Sequence, residues 1–129
     1  MLFRSARFVQ ANVLSLPYSN NHFNYVIAAS LINIVTDPLA AIKEMTRVCK
    51  PGGTVSVLVP QASSTNINHL ANTLNLSGFS RAVFQTWLHR APKLNQETLK
   101  DYFHQAGLQS ITHQPLLGGM VLTVTGVRT

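Results

Sequence analysis

The sequence predicts an α/β fold, a sheet with helices packed on it, and three stretches predict it. Residues 37–60 read as amphipathic helix, glycine turn and apolar strand. Ahead of them, residues 25–29 form another short apolar run, so strand, helix and strand alternate. Behind them, a helix candidate at 96–106 precedes two strand candidates joined by a glycine-containing connection.

In order, residues 7–13 are a short strand candidate, and Leu16-Pro17-Tyr18 with the polar run 19–22 forms a turn region. Residues 25–29 read as a buried strand with a small-residue end, and 30–36 as a loop. Asp37 is an N-cap, and Pro38 occupies the first helical position, where its missing N–H costs nothing. Ala41, Ile42, Met45, Val48 and Cys49 share one apolar face. Lys43, Glu44, Arg47 and Lys50 lie on or near the other, with Glu44 and Arg47 spaced to pair. Pro51 biases Lys50 out of helical geometry, so the helix should stop near Cys49. Gly52-Gly53 permits a sharp reversal through positive φ. Residues 54–59 are β-branched and apolar nearly throughout, as in a central strand covered on both faces.

Residues 61–95 differ in character. A polar loop over 61–68 precedes helix candidates at 69–76 and 81–90, the second with Val83, Phe84, Trp87 and Leu88 on one face. Asn95 caps the helix at 96–106, whose Leu99, Tyr102, Phe103 and Ala106 line up, and Gly107 ends it. Strands at 109–113 and 120–127 close the chain.

Bulk properties narrow the function. A chain of 129 residues, 46% hydrophobic, has room for one cored domain. Only 11% of residues are charged, against roughly 25% in ordinary soluble domains, which suggests a covered surface. The net charge of +6 is scattered without a Lys/Arg run, so nucleic acid is not the expected partner. One cysteine on an apolar helix face fits a structural thiol in a reducing compartment. The N-terminus lacks a signal-peptide core and no apolar run approaches the length of a membrane span, so a cytoplasmic protein with no membrane partner is expected. The five histidines show no metal-ligand spacing. Of the four acids, Asp37 reads as a cap, and Glu44, Glu97 and Asp101 as exposed helix residues.

R-V-C-K-P-G-G after an amphipathic helix resembles the R-V-L-K-P-G-G segment of class I S-adenosylmethionine-dependent methyltransferases. N-Y-V-I-A-A-S-L-I-N-I-V-T-D-P resembles their fourth strand and the loop after it, and F-V-Q-A-N-V-L-S-L-P-Y-S-N-N-H-F-N their F-x-x-x-D-A-x-x-L-P-F-x-D-x-S-F-D segment. The three motifs occur in family order over residues 7–60. The resemblance implies a Rossmann-like class I methyltransferase fold, incomplete, with a mostly parallel sheet and a C-terminal antiparallel strand pair. The family's glycine-rich cofactor loop and ribose-binding acid have no counterpart in this sequence. The chain is therefore expected to be one partial domain, 1–129, equivalent to the C-terminal part of the family domain.

By the same resemblance the cofactor is S-adenosylmethionine, bound weakly or not at all by this chain alone. Asn12 stands where an Asp accepts from the adenine amino group, with Val13 beside it, and Ala29, Ser30 and Leu31 match residues that wall the cofactor. Residues 61–95 correspond to a variable helical insertion, a substrate lid, with His69, Phe79, Trp87 and His89 as pocket candidates; Trp87 reads equally well as core. The catalytic residue is not identifiable, no metal is expected, and the acceptor is a small molecule. The alternative is a non-catalytic remnant serving as a binding or assembly module. With family strand order 3-2-1-4-5-7-6 and strands 1 and 2 lacking, the strand at 25–29 becomes an edge. Either two chains pair there as a homodimer or residues 8–12 slide across to cover it.

Overall fold

The structure, a computed structural model, describes residues 6–61 and 67–129. Strand β1 (Phe23–Ala29) leads through a loop to helix α1 (Pro38–Val48), which passes directly into strand β2 (Cys49–Pro60). Helices α2 (Ile67–Thr73), α3 (Gly78–Arg90) and α4 (Gln96–Gln105) follow, then strands β3 (Leu108–Leu116) and β4 (Val121–Arg128), joined by a 3-10 turn at Leu117–Gly119. Part of the polar loop expected at 61–68 lies outside the described residues.

Helix α1 starts as its sequence requires: the Ala40 N–H donates to Asp37 Oδ1 at 3.0 Å. Its buried Ala41, Ile42 and Met45 share one core with Val55, Val57 and Val59 of β2, Leu99 and Phe103 of α4, and Leu122 and Val124 of β4. Fully burying one such side chain contributes about 1.5–3 kcal/mol, which makes this the main stabilising layer. At the C-terminal end of α1, Arg128 Nη1 donates to the carbonyls of Thr46 (2.9 Å), Arg47 (3.1 Å) and Cys49. A cation there also complements the helix dipole.

The sheet order is β1-β2-β4-β3, which reproduces the 4-5-7-6 end of the order implied by the resemblance. The expected mostly parallel sheet is not what forms: only β1·β2 is parallel, and β2·β4 and β4·β3 are antiparallel. The reason is topological. The short turn between β3 and β4 forces them antiparallel, and β4 then inserts between β2 and β3. Strands β1, β2 and β3 run the same way, but β3 touches neither of the others.

Two further expectations change. Strand β2 buries Val55, Val57 and Val59 under the helices, while Thr54, Ser56 and Leu58 on the other face are only half-buried; Ser56 and Thr125 hydroxyls pair there at 3.0 Å. Helical cover is therefore one-sided, and the Ser56 that interrupts the apolar run marks the open face. The strand expected at 7–13 is absent: only an isolated bridge, Asn12 to Ser15, occurs there, with Phe8 99% exposed. A strand persists only where its backbone finds a partner, and among the described residues 8–12 pair with no strand, so they do not cover β1. Among the described residues β1 is an open edge, with Tyr25 53% and Ile27 66% exposed.

Helices α2 and α3 close a second, smaller core. Leu70, Leu88 and Met120 are buried there, with Phe84, Trp87 and Leu117 packed against them. Helices α2 and α3 are thereby anchored on the β3–β4 turn, while Leu94, after α3, packs on the main core.

Candidate functional site

The ligand crevice of an open α/β sheet lies beyond the carboxyl ends of its parallel strands. Here that end is Ala29 to Leu31. Ser30 adopts φ 52°, the left-handed region that costs a non-glycine residue of order 1 kcal/mol, and its N–H is held by Leu58 O at 2.8 Å. The chain turns off the sheet at this point, and Ile34 N donates back to Leu31 O at 3.0 Å.

Beneath this turn lies an apolar groove of about 310 Å³ between the 9–18 segment, β1 and α1, with Val13, Leu16, Val26, Ala28, Leu31 and Met45 on its walls. A polar clamp positions its outer wall. Glu44 and Arg47 pair at 2.6 Å, as their spacing predicts. Arg47 also donates to Leu16 O (3.1 Å), Tyr18 O (2.9 Å) and Asn20 Oδ1 (2.8 Å), while Leu16 N donates to Glu44 Oε1 at 2.9 Å. Glu44 is thus an anchor for the 16–20 segment rather than a solvated helix acid. The hydrogen bond from Arg47 holds its carboxyl below the usual glutamate range, against an opposing effect of burial, and the Arg47 guanidinium is correspondingly harder to deprotonate.

Of the five expected cofactor residues, Val13 and Leu31 come together on this groove. Asn12, Ala29 and Ser30 do not line it. Asn12 Oδ1 accepts from Leu14 N at 2.9 Å in a local Asx turn, leaving one lone pair for a ligand donor. Of the four expected pocket residues, Phe79 and Trp87 lie together on the outer face of α3, beside two shallow grooves of about 440 and 460 Å³. His89, two residues after Trp87, projects from the other side of the helix, and His69 is exposed on α2; neither lines those grooves.

One residue was missed. Asn33 Nδ2 donates to Pro92 O at 2.9 Å, tying the loop after β1 to the end of the helical insertion, and its Oδ1 is buried with no partner among the described residues. Nothing local marks an asparagine in a loop for this, because its partner lies 59 residues away.

The groove offers shape and apolar surface, not acid–base chemistry. Cys49 is fully buried, its thiol pushed up by desolvation against a smaller opposing effect of Arg128, so it is no nucleophile. Among the described residues no group of His, Cys, Asp or Glu is arranged to hold a metal ion. No described helix is long and apolar enough to cross a membrane. Set against S-adenosylmethionine, the groove offers apolar walls at Val13 and Leu31, and Asn12, off the groove, keeps a lone pair for a donor. No acid lines the groove: Asp37 caps α1, Glu44 is held by the clamp, and Glu97 and Asp101 lie on α4.

Residues 2–57 match a family model described as a methyltransferase domain. The ubiquinone/menaquinone biosynthesis C-methyltransferase UbiE of Pseudomonas aeruginosa is 31% identical over 134 residues, spanning 94% of this chain and 52% of that protein. Its counterpart in Hahella chejuensis is 35% identical over 132 residues, spanning 94% and 53%. The chain thus spans about half the length of these relatives. Among solved structures, a SAM-dependent methyltransferase of Thermotoga maritima, described as a possible histamine N-methyltransferase, superposes with a TM-score of 0.69 at 21% identity, covering 94% of this chain and 63% of that one. That likeness concerns the fold.

Proposed function

We propose that this chain is the C-terminal portion of a class I S-adenosylmethionine-dependent methyltransferase domain and serves an enzyme that methylates a small molecule, a reading supported by the methyltransferase-domain match over residues 2–57 and the similarity to the UbiE C-methyltransferases. Bound S-adenosylmethionine supplies an electrophilic methyl group; this chain walls the adenine end and positions the acceptor. Val13 and Leu31 flank the ring, Asn12 accepts from its amino group, and the Ser30 turn fixes Leu31. Methyl transfer rests mainly on alignment of the two reactants, so a groove without an acid–base pair suits it. The insertion carrying α2 and α3 serves as the substrate lid, latched to the cofactor wall by Asn33 and Pro92. The relatives' place in quinone biosynthesis makes a quinone precursor methylated on carbon the first acceptor to try.

The observation that carries this reading is the left-handed Ser30 at the carboxyl end of β1, directly before the groove-lining Leu31. Nuclear magnetic resonance titration of the isotope-labelled chain with S-adenosylmethionine tests it. Amide shifts at Val13, Ala29, Ser30 and Leu31, with weaker than micromolar affinity, are expected. Shifts absent there at saturating ligand, or confined to α3, refute it.

A second reading, an assembly module, is favoured by the open edge of β1. An antiparallel pairing of two β1 edges about a two-fold axis would satisfy their outward backbone groups. Ile27→Lys reports on it better than a change at Val26, because Val26 packs against the core whereas Ile27 is exposed. Light scattering over a concentration series should show a dimer that Ile27→Lys dissociates; a parent that stays monomeric eliminates the module.

A further inference from the structure

We propose that the outer face of α3 docks on an anionic lipid surface. At 100° per residue, Phe79, Val83, Trp87 and Arg90 fall within about 80° of arc on the helix. The opposite side holds the buried Leu88, with Phe84 toward the small core formed with Leu70 and Met120. Among the described residues the outward face is uncovered at Phe79 (84% exposed) and Val83 (50%), while Trp87 is half-buried with one flank on the small core; both grooves flank the Phe79–Val83–Trp87 ridge. Scattered exposed apolar residues are ordinary on a surface, but a contiguous ridge of two aromatic residues and a valine is a docking feature.

Charge selects the partner. No carboxylate occurs between Glu44 and Glu97, so the whole insertion is free of acids. Arg81 is turned inward, donating to Asn72 Oδ1 at 2.6 Å. Arg90 and Lys93 remain at the end of the ridge, both exposed. An apolar helix face with aromatic residues, edged by cations and lacking acids, suits the boundary between acyl chains and anionic headgroups. A nucleic acid would want a stripe of cations along its phosphates, and this face offers two at one end. A second copy docked here would meet the same acid-free surface, which holds no carboxylate to pair with Arg90 or Lys93. Docking of this kind needs no spanning segment, and it is independent of the groove beside β1.

Trp87 is the single tryptophan, so its fluorescence reports on this face directly. The full chain is mixed with vesicles of phosphatidylcholine alone and of phosphatidylcholine and phosphatidylglycerol in equal parts. Co-sedimentation and a blue shift of Trp87 are expected with the anionic vesicles only, reversed by high salt. Phe79→Glu, at an exposed position that leaves the fold intact, should weaken partitioning about tenfold or more. Arg90→Glu should weaken it about fivefold or more, from about 1 kcal/mol per basic residue at such a surface. Gln109→Glu makes the charge change of Phe79→Glu on β3 and should alter partitioning less than about twofold, because one distant exposed charge is largely screened. Absence of binding to the anionic vesicles overturns the proposal. So does equal loss for Gln109→Glu and Phe79→Glu, a Trp87 shift produced by RNA but not by vesicles, or a dimer in light scattering that Phe79→Glu dissociates.

Discussion

Gly53 should accept no side chain, and the reason differs from that for its neighbour. A Cβ at Gly53 would lie 2.7 Å from Asn24 O, 2.7 Å from Cys49 Sγ and 2.8 Å from Lys50 O. Two of these atoms are backbone carbonyls, and the sulfur belongs to a fully buried side chain. Relief requires the start of β1 to move away from β2, where the register already shifts between Phe23 and Tyr25. Overpacking of this kind costs about 1–3 kcal/mol, and with three simultaneous close contacts Gly53→Ala belongs at about 3 kcal/mol. Gly52 has φ +82° and open space around its Cβ position, so Gly52→Ala should cost only the left-handed conformation, about 1 kcal/mol. In urea, with a slope of roughly 2 kcal/mol per molar, the midpoints should fall by about 1.5 M and about 0.5 M. A Gly53→Ala midpoint within about 0.25 M of the parent, or a Gly52→Ala variant less stable than Gly53→Ala, would refute the packing argument, since no close contact could then be limiting.

The clamp predicts a pH signature. Glu44 has a lowered folded-state pKa, so its contribution is present above the ordinary glutamate range and disappears as pH falls through the folded value. Glu44→Gln should therefore be less stable than the parent at neutral pH and match it in strong acid, as urea melts at the two pH values would show; a difference that persists in acid contradicts the clamp. Cys49 is buried with a raised pKa, its Sγ 3.6 Å from Lys50 O, so thiol reagents should modify it only as fast as the fold opens. Stopped-flow labelling at mildly alkaline pH checks this, and prompt labelling of the native chain argues that Cys49 is accessible.

Much of the central unit was legible because its determinants are local. Asp37 and Pro38 start α1, the 3.6-residue spacing of Ala41, Ile42, Met45 and Val48 sets its buried face, and Glu44 and Arg47 pair within one turn. Asn95 caps α4 in the same way, its Oδ1 accepting from Thr98 N at 2.8 Å. The candidate site was less legible. Val13 and Leu31 do meet on one groove, but Asn12 spends an acceptor on its own turn, and His69 and His89 diverge from Phe79 and Trp87. Side chains 18 residues or more apart are brought together by packing, and no periodicity in the sequence records that.

The sequence by itself determined where α1 and α4 begin, which faces they bury, that Gly52 takes a positive φ and that residues 25–29 are apolar enough for a strand. All of these follow from dihedral preference and the pitch of one element. Only the tertiary structure decided the pairing of strands. The insertion of β4 between β2 and β3 made the sheet mostly antiparallel, and the lack of a partner among the described residues left 7–13 without a strand and β1 with an open edge. The clamp from α1 to the 16–20 segment and the link from Asn33 to Pro92 are likewise tertiary. A strand's hydrogen bonds all lie outside itself, so its existence and direction depend on its neighbours, whereas a helix satisfies its backbone from within.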